Sequence, residues 1–144
     1  ASGAAPERAG ARHLGGCLCG AVRYALAAEL RGFTICHCSQ CRKAQGSAFG
    51  ANAPAPASAL TWLQGEASVA EYESSPGKIR AFCRTCGSPL LSRLVSKPEV
   101  VRLRLGSLDA EPAEAHRAHF CGVEGRLGDV AGGRRAALRG PRAR

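Results

Sequence analysis

The chain of 144 residues contains no methionine, and its aromatics are limited to one Trp, two Tyr and four Phe. Apolar residues still make up 45% of it, but Ala, Leu and Val dominate that share. A core built from such small side chains removes less area from water per residue, so a metal or another staple is expected to help hold it. No apolar run approaches the ~18–20 residues a membrane-spanning helix needs. The opening "ASGAAPERAGARHLGG" has no positive segment followed by an apolar one, so no secretory signal is legible there. The expectation is a cytoplasmic protein with reduced thiols. Scattered aromatics also leave no stacking platform for nucleic-acid bases.

Acidic residues are the scarcer charge, 11 Asp and Glu against 20 Lys and Arg, for a net charge of +9. The excess sits mostly at one end: residues 126–144 hold six arginines against Asp129 alone, while residues 14–125 carry only +3. Nucleic acid is therefore not an expected partner of the central region.

What the chain does have is cysteine, eight in all, at 17, 19, 36, 38, 41, 83, 86 and 121. Seven fall into three tight clusters, C-x-C, C-x-C-x-x-C and C-x-x-C. A C-x-C pair is too strained to bridge itself comfortably, whereas closely spaced thiolates converge readily on one ion. "CRTCG" at 83–87 has the form of a zinc knuckle, with Gly87 free to take a positive φ behind Cys83 and Cys86. It needs a partner pair. Cys17 and Cys19 would complete a closed four-thiolate site and leave Cys36, Cys38 and Cys41 a metal of their own. Alternatively two members of "CHCSQC" (36–41) complete the knuckle and Cys17 and Cys19 are left over. Spacing leans only mildly to the first arrangement. Within "CHCSQC", His37 points away from its neighbours if the segment is extended. Cys121 is either a fourth ligand to the three-cysteine group or a buried thiol.

Residues 1–13 and 128–144 are rich in Ala, Gly, Pro and Arg without apolar period and are expected to be mobile ends, framing one domain over 14–127. Inside it, strands are expected at 21–27, 32–36, 47–53, 68–74, 78–83, 89–95 and 99–108, mostly separated by Gly or Pro. In the last, Val101, Leu103 and Leu105 alternate with Arg102 and Arg104, as in a strand with one face on the core. Short helices are expected at 56–65 and 110–118. Trp62 reads as a core anchor, and Arg23, Arg80 and Arg93 as charges on strand faces. The fold class is mainly β, antiparallel, with short helical insertions.

"GGCLCGAVRY", "CHCSQCRKAQGSAF", "FCRTCGSPL" and "LGSLD", in this order and at these separations, resemble the glutathione-dependent formaldehyde-activating enzyme family, whose zinc domain is shared with centromere protein V. The resemblance covers about residues 14–121. It implies a β-tent of antiparallel sheets stapled by zinc, with two Zn²⁺ per chain: a structural ion on Cys17, Cys19, Cys83 and Cys86, and a second on Cys36, Cys38 and Cys41. It also implies condensation of formaldehyde with glutathione to S-(hydroxymethyl)glutathione, a carbon-sulfur lyase reaction in reverse. The family usually continues after a "HIF"-like strand into a segment with a Trp. Here His119-Phe120-Cys121 is followed by "GVEGRLGDVAGG", which has no aromatic.

Three protein thiolates with an open fourth position suit catalytic zinc, and Cys36, Cys38 and Cys41 are the expected catalytic centre. Arg42, Lys43 and Gln45, just beyond it, are expected to contact glutathione or to supply donors around the metal. The expected partners are glutathione or another small thiol and an aldehyde. The competing expectation is a non-catalytic zinc or thiol-binding module whose arginine tail contacts nucleic acid or an acidic partner.

Overall fold

The computed structural model describes residues 10–110 and 119–121. Ten strands form two sheets. β1 (His13–Gly16), β2 (Arg23–Leu26) and β5 (Leu60–Gln64) make a three-stranded antiparallel sheet in the order β1-β2-β5. The larger sheet has β3 (Thr34–Cys36), β4 (Gly50–Pro56), β6 (Val69–Ser75), β7 (Lys78–Cys83), β8 (Pro89–Leu94), β9 (Lys97–Arg104) and β10 (His119–Cys121). Its order is β10-β3-β4-β9-β8-β7-β6. Every described pairing is antiparallel except β10 with β3. The described residues hold one α-helix, α1 (Ser39–Gln45), and three short 3₁₀ turns. The structure is thus mainly antiparallel β with small helical insertions.

The core lies between the sheets. Val22, just before β2, and Tyr24 and Leu26 of β2 meet Ala53, Leu90, Val101 and Leu103 of the larger sheet. Trp62 packs against this cluster and presents an edge to Tyr24, ring centroids 6.0 Å apart. Cys83 is itself fully buried, as are Tyr24, Leu26 and Leu90. A thiol thus occupies volume that a larger hydrophobe fills in a metal-free core, as the shortage of aromatics leads one to expect.

The stretch "LGSLD" (105–109) locks the sheets together. Tyr24 Oη lies 2.7 Å from Ser107 Oγ, and Ser107 Oγ donates to the Arg104 carbonyl at 2.7 Å. Burial pushes the Tyr24 phenol up to about 12, so it is neutral and free to share a proton with Ser107. Arg23 forks onto the Asp109 carboxylate through both terminal nitrogens. "LGSLD" is therefore the piece that docks the end of β9 onto β2.

Three expectations are corrected. Residues 56–65 form a 3₁₀ turn at Ala57–Ala59 followed by β5, because the stretch Leu60–Gln64 pairs with β2 instead of closing a helix. β4 runs on through Pro54 and Pro56, past the expected end at 53: β3 pairs only as far as Asn52, so the missing N–H groups fall on an edge that β3 leaves open. Arg104, expected on the solvent face of β9, is only 4% exposed. The helix expected at 110–118 lies outside the described residues, apart from Ala110.

Candidate metal centres

The turns after β1 and after β7 aim four sulfurs at one point. Cys17 is tied to Val22, whose N–H donates to its Sγ at 3.2 Å, and Gly20 closes the turn by donating to the Cys17 carbonyl. In the other turn Gly87, at φ 76°, donates to the Cys83 carbonyl at 2.8 Å, a conformation that favours glycine. The two turns are linked directly: the Leu18 N–H donates to Ser88 Oγ at 2.9 Å. Cys17, Cys19, Cys83 and Cys86 have their sulfurs all within 4.8 Å of one another. Cys17 and Cys19 sulfurs are 3.5 Å apart, and Cys19 and Cys83 sulfurs 3.9 Å. A tetrahedron with Zn–S of about 2.3 Å requires S–S separations of about 3.8 Å, so the donor set fits zinc. Hydrogen bonds from the Ser88 hydroxyl and amide bring Cys86 down to about 5, favouring the thiolate that a metal binds.

The second group is local. Cys36 ends β3, Cys38 is the N-cap of α1, and Cys41 lies in its first turn. The Cys41 N–H donates to Cys38 Sγ at 3.4 Å, so a ligand sulfur also serves as the helix cap. The three sulfurs lie within 4.8 Å of one another, and no further His, Cys, Asp or Glu among the described residues joins them. Burial, reinforced by the adjacent thiols, pushes Cys36 up to about 12. Burial is the largest influence on Cys38 and acts in the same sense, but hydrogen bonds from the Cys41 amide, the Cys36 and Cys41 thiols and the Gln40 amide together outweigh it and hold that thiol below its ordinary value. Unequal proton affinities of this kind follow when three thiols converge without a cation to offset their charges. The chemistry of the donors again fits zinc, here with three protein ligands.

His37 lies outside both groups and its ring meets Phe49 edge-on at a centroid distance of 5.9 Å. The β10 backbone pairs Cys121 with Cys36 in parallel register. The side-chain role expected for Cys121 lies outside the described residues.

A family model described as glutathione-dependent formaldehyde-activating enzyme matches residues 12–122. The chain belongs to the glutathione-dependent formaldehyde-activating enzyme family. Its structure also resembles the crystal structure of a Rhodobacter sphaeroides protein, with a TM-score of 0.61 at 27% identity, over 75% of this chain and 99% of that one. Among the described residues the sulfurs of Cys17 and Cys19 gather with those of Cys83 and Cys86, and the sulfurs of Cys36, Cys38 and Cys41 gather separately.

Helix α1 separates the three polar residues that follow the second group. Arg42 and Lys43 line an open cavity of about 460 Å³ on its outer side, together with Ser39. Gln45 instead faces the sheet. A Cβ added to Gly50 would lie 3.3 Å from both Cys41 Cβ and Gln45 Cγ, so the glycine lets α1 sit down on β4. Gln45 also lines a cavity of about 320 Å³ that reaches Cys17, Arg104 and Ser107. This places a ligand-sized space between the two cysteine groups.

Sequence reasoning missed Arg104 and Asn52. Arg104 Nη1 donates to Asn52 Oδ1, and Asn52 Nδ2 donates to the Gly50 carbonyl at 3.0 Å. Burial pushes Arg104 down to about 10, helped by Arg80, while the Cys41 and Cys36 thiolates pull the other way. Alternation of apolar residues marks an arginine in such a strand as solvent-facing. Only the tertiary structure, which covers both faces of β9 at this point, reveals otherwise.

Proposed function

We propose that the chain is a zinc-dependent carbon-sulfur lyase-type enzyme acting on an adduct of glutathione, or a similar small thiol, with formaldehyde. The observation that carries this reading is the difference between the cysteine groups: four sulfurs close one, whereas among the described residues only three converge on the other. Cys17, Cys19, Cys83 and Cys86 would hold the structural ion, and Cys36, Cys38 and Cys41 the second, two Zn²⁺ per chain. Zinc at the second group would lower the pKa of a thiol and favour its thiolate as nucleophile or leaving group. In the condensing direction the sulfur adds to the aldehyde carbon, the C=O π bond opens, and the proton given up by the thiol ends on the oxygen. Three cysteinates leave a Zn²⁺ centre formally negative, so cationic and hydrogen-bonding side chains nearby are required to favour an additional thiolate. Arg104, held by Asn52 close to the Cys41 and Cys36 thiolates, supplies a fixed positive charge. Gln45 offers an amide whose buried Nε2 has no hydrogen-bond partner. Arg42 and Lys43, which line the cavity on the outer side of α1, would meet a carboxylate there.

The test is the rate of S-(hydroxymethyl)glutathione formation from formaldehyde and glutathione with zinc-loaded protein and without it. Acceleration that is lost in Cys38→Ser is the expected result. A rate equal to the spontaneous one removes the activity and leaves a zinc module that binds thiols or serves as a scaffold.

A further inference from the structure

The face of the larger sheet that carries Arg104 holds more positive charge than the three-cysteine group can offset. Arg80, Ser92 and Arg102 stand in one register row across β7, β8 and β9, and Arg104 follows Arg102 on the same face. Lys78 is two residues before Arg80 on β7. Burial, together with Arg102, Arg104 and Arg80, lowers the Lys78 ammonium, so the four cations share one electrostatic neighbourhood. Three cysteinates with one Zn²⁺ amount to a single negative charge against these four. None of the ion pairs among the described residues involves any of them: those pairs join Arg12 and Arg31 to Glu29, Arg23 to Asp109, and Arg93 to Glu71.

The donors on this face are also positioned and unused. Arg80 Nε donates to Ser74 Oγ at 2.8 Å, which fixes the guanidinium, yet its buried Nη1 has no hydrogen-bond partner. Ser92 is 1% exposed and its Oγ likewise has none. A buried donor without an acceptor is destabilising, more so when it is charged, so an acceptor carrying negative charge would satisfy this site. The connection to the three-cysteine group is short: Cys41 lies against Gly50, Asn52 lies beside Gly50, and Asn52 bonds Arg104.

We propose that Lys78, Arg80, Arg104 and Ser92 form a binding site for a carboxylate of the ligand whose sulfur is bound at the three-cysteine group. The site selects acidic thiols over neutral ones, and it is distinct from Arg42 and Lys43, which lie on the outer side of α1. It rests on the thiol reading above for its pairing with a sulfur, though not for the carboxylate contact itself.

The experiment is isothermal titration of zinc-loaded protein with two probes. S-methylglutathione keeps both carboxylates but has no ionisable thiol, and 2-mercaptoethanol has the thiol without a carboxylate. In Arg80→Gln the affinity for S-methylglutathione is expected to fall about tenfold or more, the loss of a charge-assisted hydrogen bond, with 2-mercaptoethanol unchanged. Lys78→Gln, on a half-buried residue, repeats the test with less demand on folding. Wild-type protein that ignores S-methylglutathione, variants that bind it as tightly as wild type, or variants that lose both probes equally would each overturn the carboxylate site. Binding of S-methylglutathione without 2-mercaptoethanol would instead keep the carboxylate site and overturn the thiol reading.

Discussion

The two cysteine groups use the same atom type for opposite ends. The four-cysteine group is assembled from turns 64 residues apart in sequence and joins the strand edge of one sheet to a hairpin of the other, with a fully buried Cys83 at its centre. The three-cysteine group is built within six residues, on the junction of β3 and α1, and none of its members is fully buried. A long-range cluster replaces core packing and fixes topology. A local one sits on a fold that already exists and leaves space for a ligand. Number of ligands and sequence separation thus change together, as the proposed division into a closed structural site and an open one requires.

Breaking the long-range group should have the largest effect. Cys83→Ser removes one thiolate from the proposed structural site, and zinc binding at such a site is worth on the order of 10 kcal/mol or more and counts directly as folding free energy. That exceeds the whole stability of a typical domain, about 5–15 kcal/mol, at its lower end. Circular dichroism and thermal melting should show an unfolded or non-cooperative chain. Cys38→Ser should be milder, because β3, β4 and β9 remain paired without it. A cooperative melt with loss of the accelerated rate is expected, and collapse of the fold would erase the distinction between the groups.

Acid should separate them as well. Thiols must lose protons to bind zinc, and each group mixes raised and lowered thiols, Cys19 at about 11 beside Cys86 at about 5 in one and Cys36 at about 12 beside a lowered Cys38 in the other. The difference between them is therefore the number of ligands, four against three. As pH falls, protons should displace zinc from the three-cysteine group first, seen as stepwise release to a chromogenic chelator. Simultaneous release of both ions would contradict the contrast.

The smallest effect belongs to an ion pair that includes no sulfur ligand, although it lines the cavity that reaches Cys17. The Arg23 guanidinium lowers the Asp109 carboxyl below its ordinary value. The stability from this pair is therefore present above the ordinary carboxylate range and is lost as pH falls through the lowered value. Both side chains are partly exposed, so Asp109→Asn should cost no more than about 1 kcal/mol near neutral pH and nothing in strong acid, measured by urea unfolding at two pH values.

Much of this was legible in the sequence because cysteine spacing is a local signal. "CRTCG" and "CLCG" announce turns that can present two sulfurs, and the alternation in "VVRLRL" marks Val101 and Leu103 as core. What spacing left open was the pairing of clusters, which depends on β1 and β7 meeting across two sheets. The parallel addition of β10 to β3 was also hidden, since a three-residue strand has no pattern of its own. α1 was missed because "SQCRKAQ" has no apolar stripe: it buries no side chain completely and is held by the Cys38 cap and by its seat on Gly50. Arg104 was misplaced for a related reason. Periodicity reports which residues favour the core, and a buried cation beside thiolates is an exception made by the site.

Zinc content of native protein and of Cys38→Ser, measured together with their melting transitions, tests the central claim most directly. Two zincs per chain in the native protein, and one in a Cys38→Ser variant that still melts cooperatively, is the result expected of a staple and a separate open site. One zinc in the native protein, or a Cys38→Ser variant as unfolded as Cys83→Ser, would contradict it.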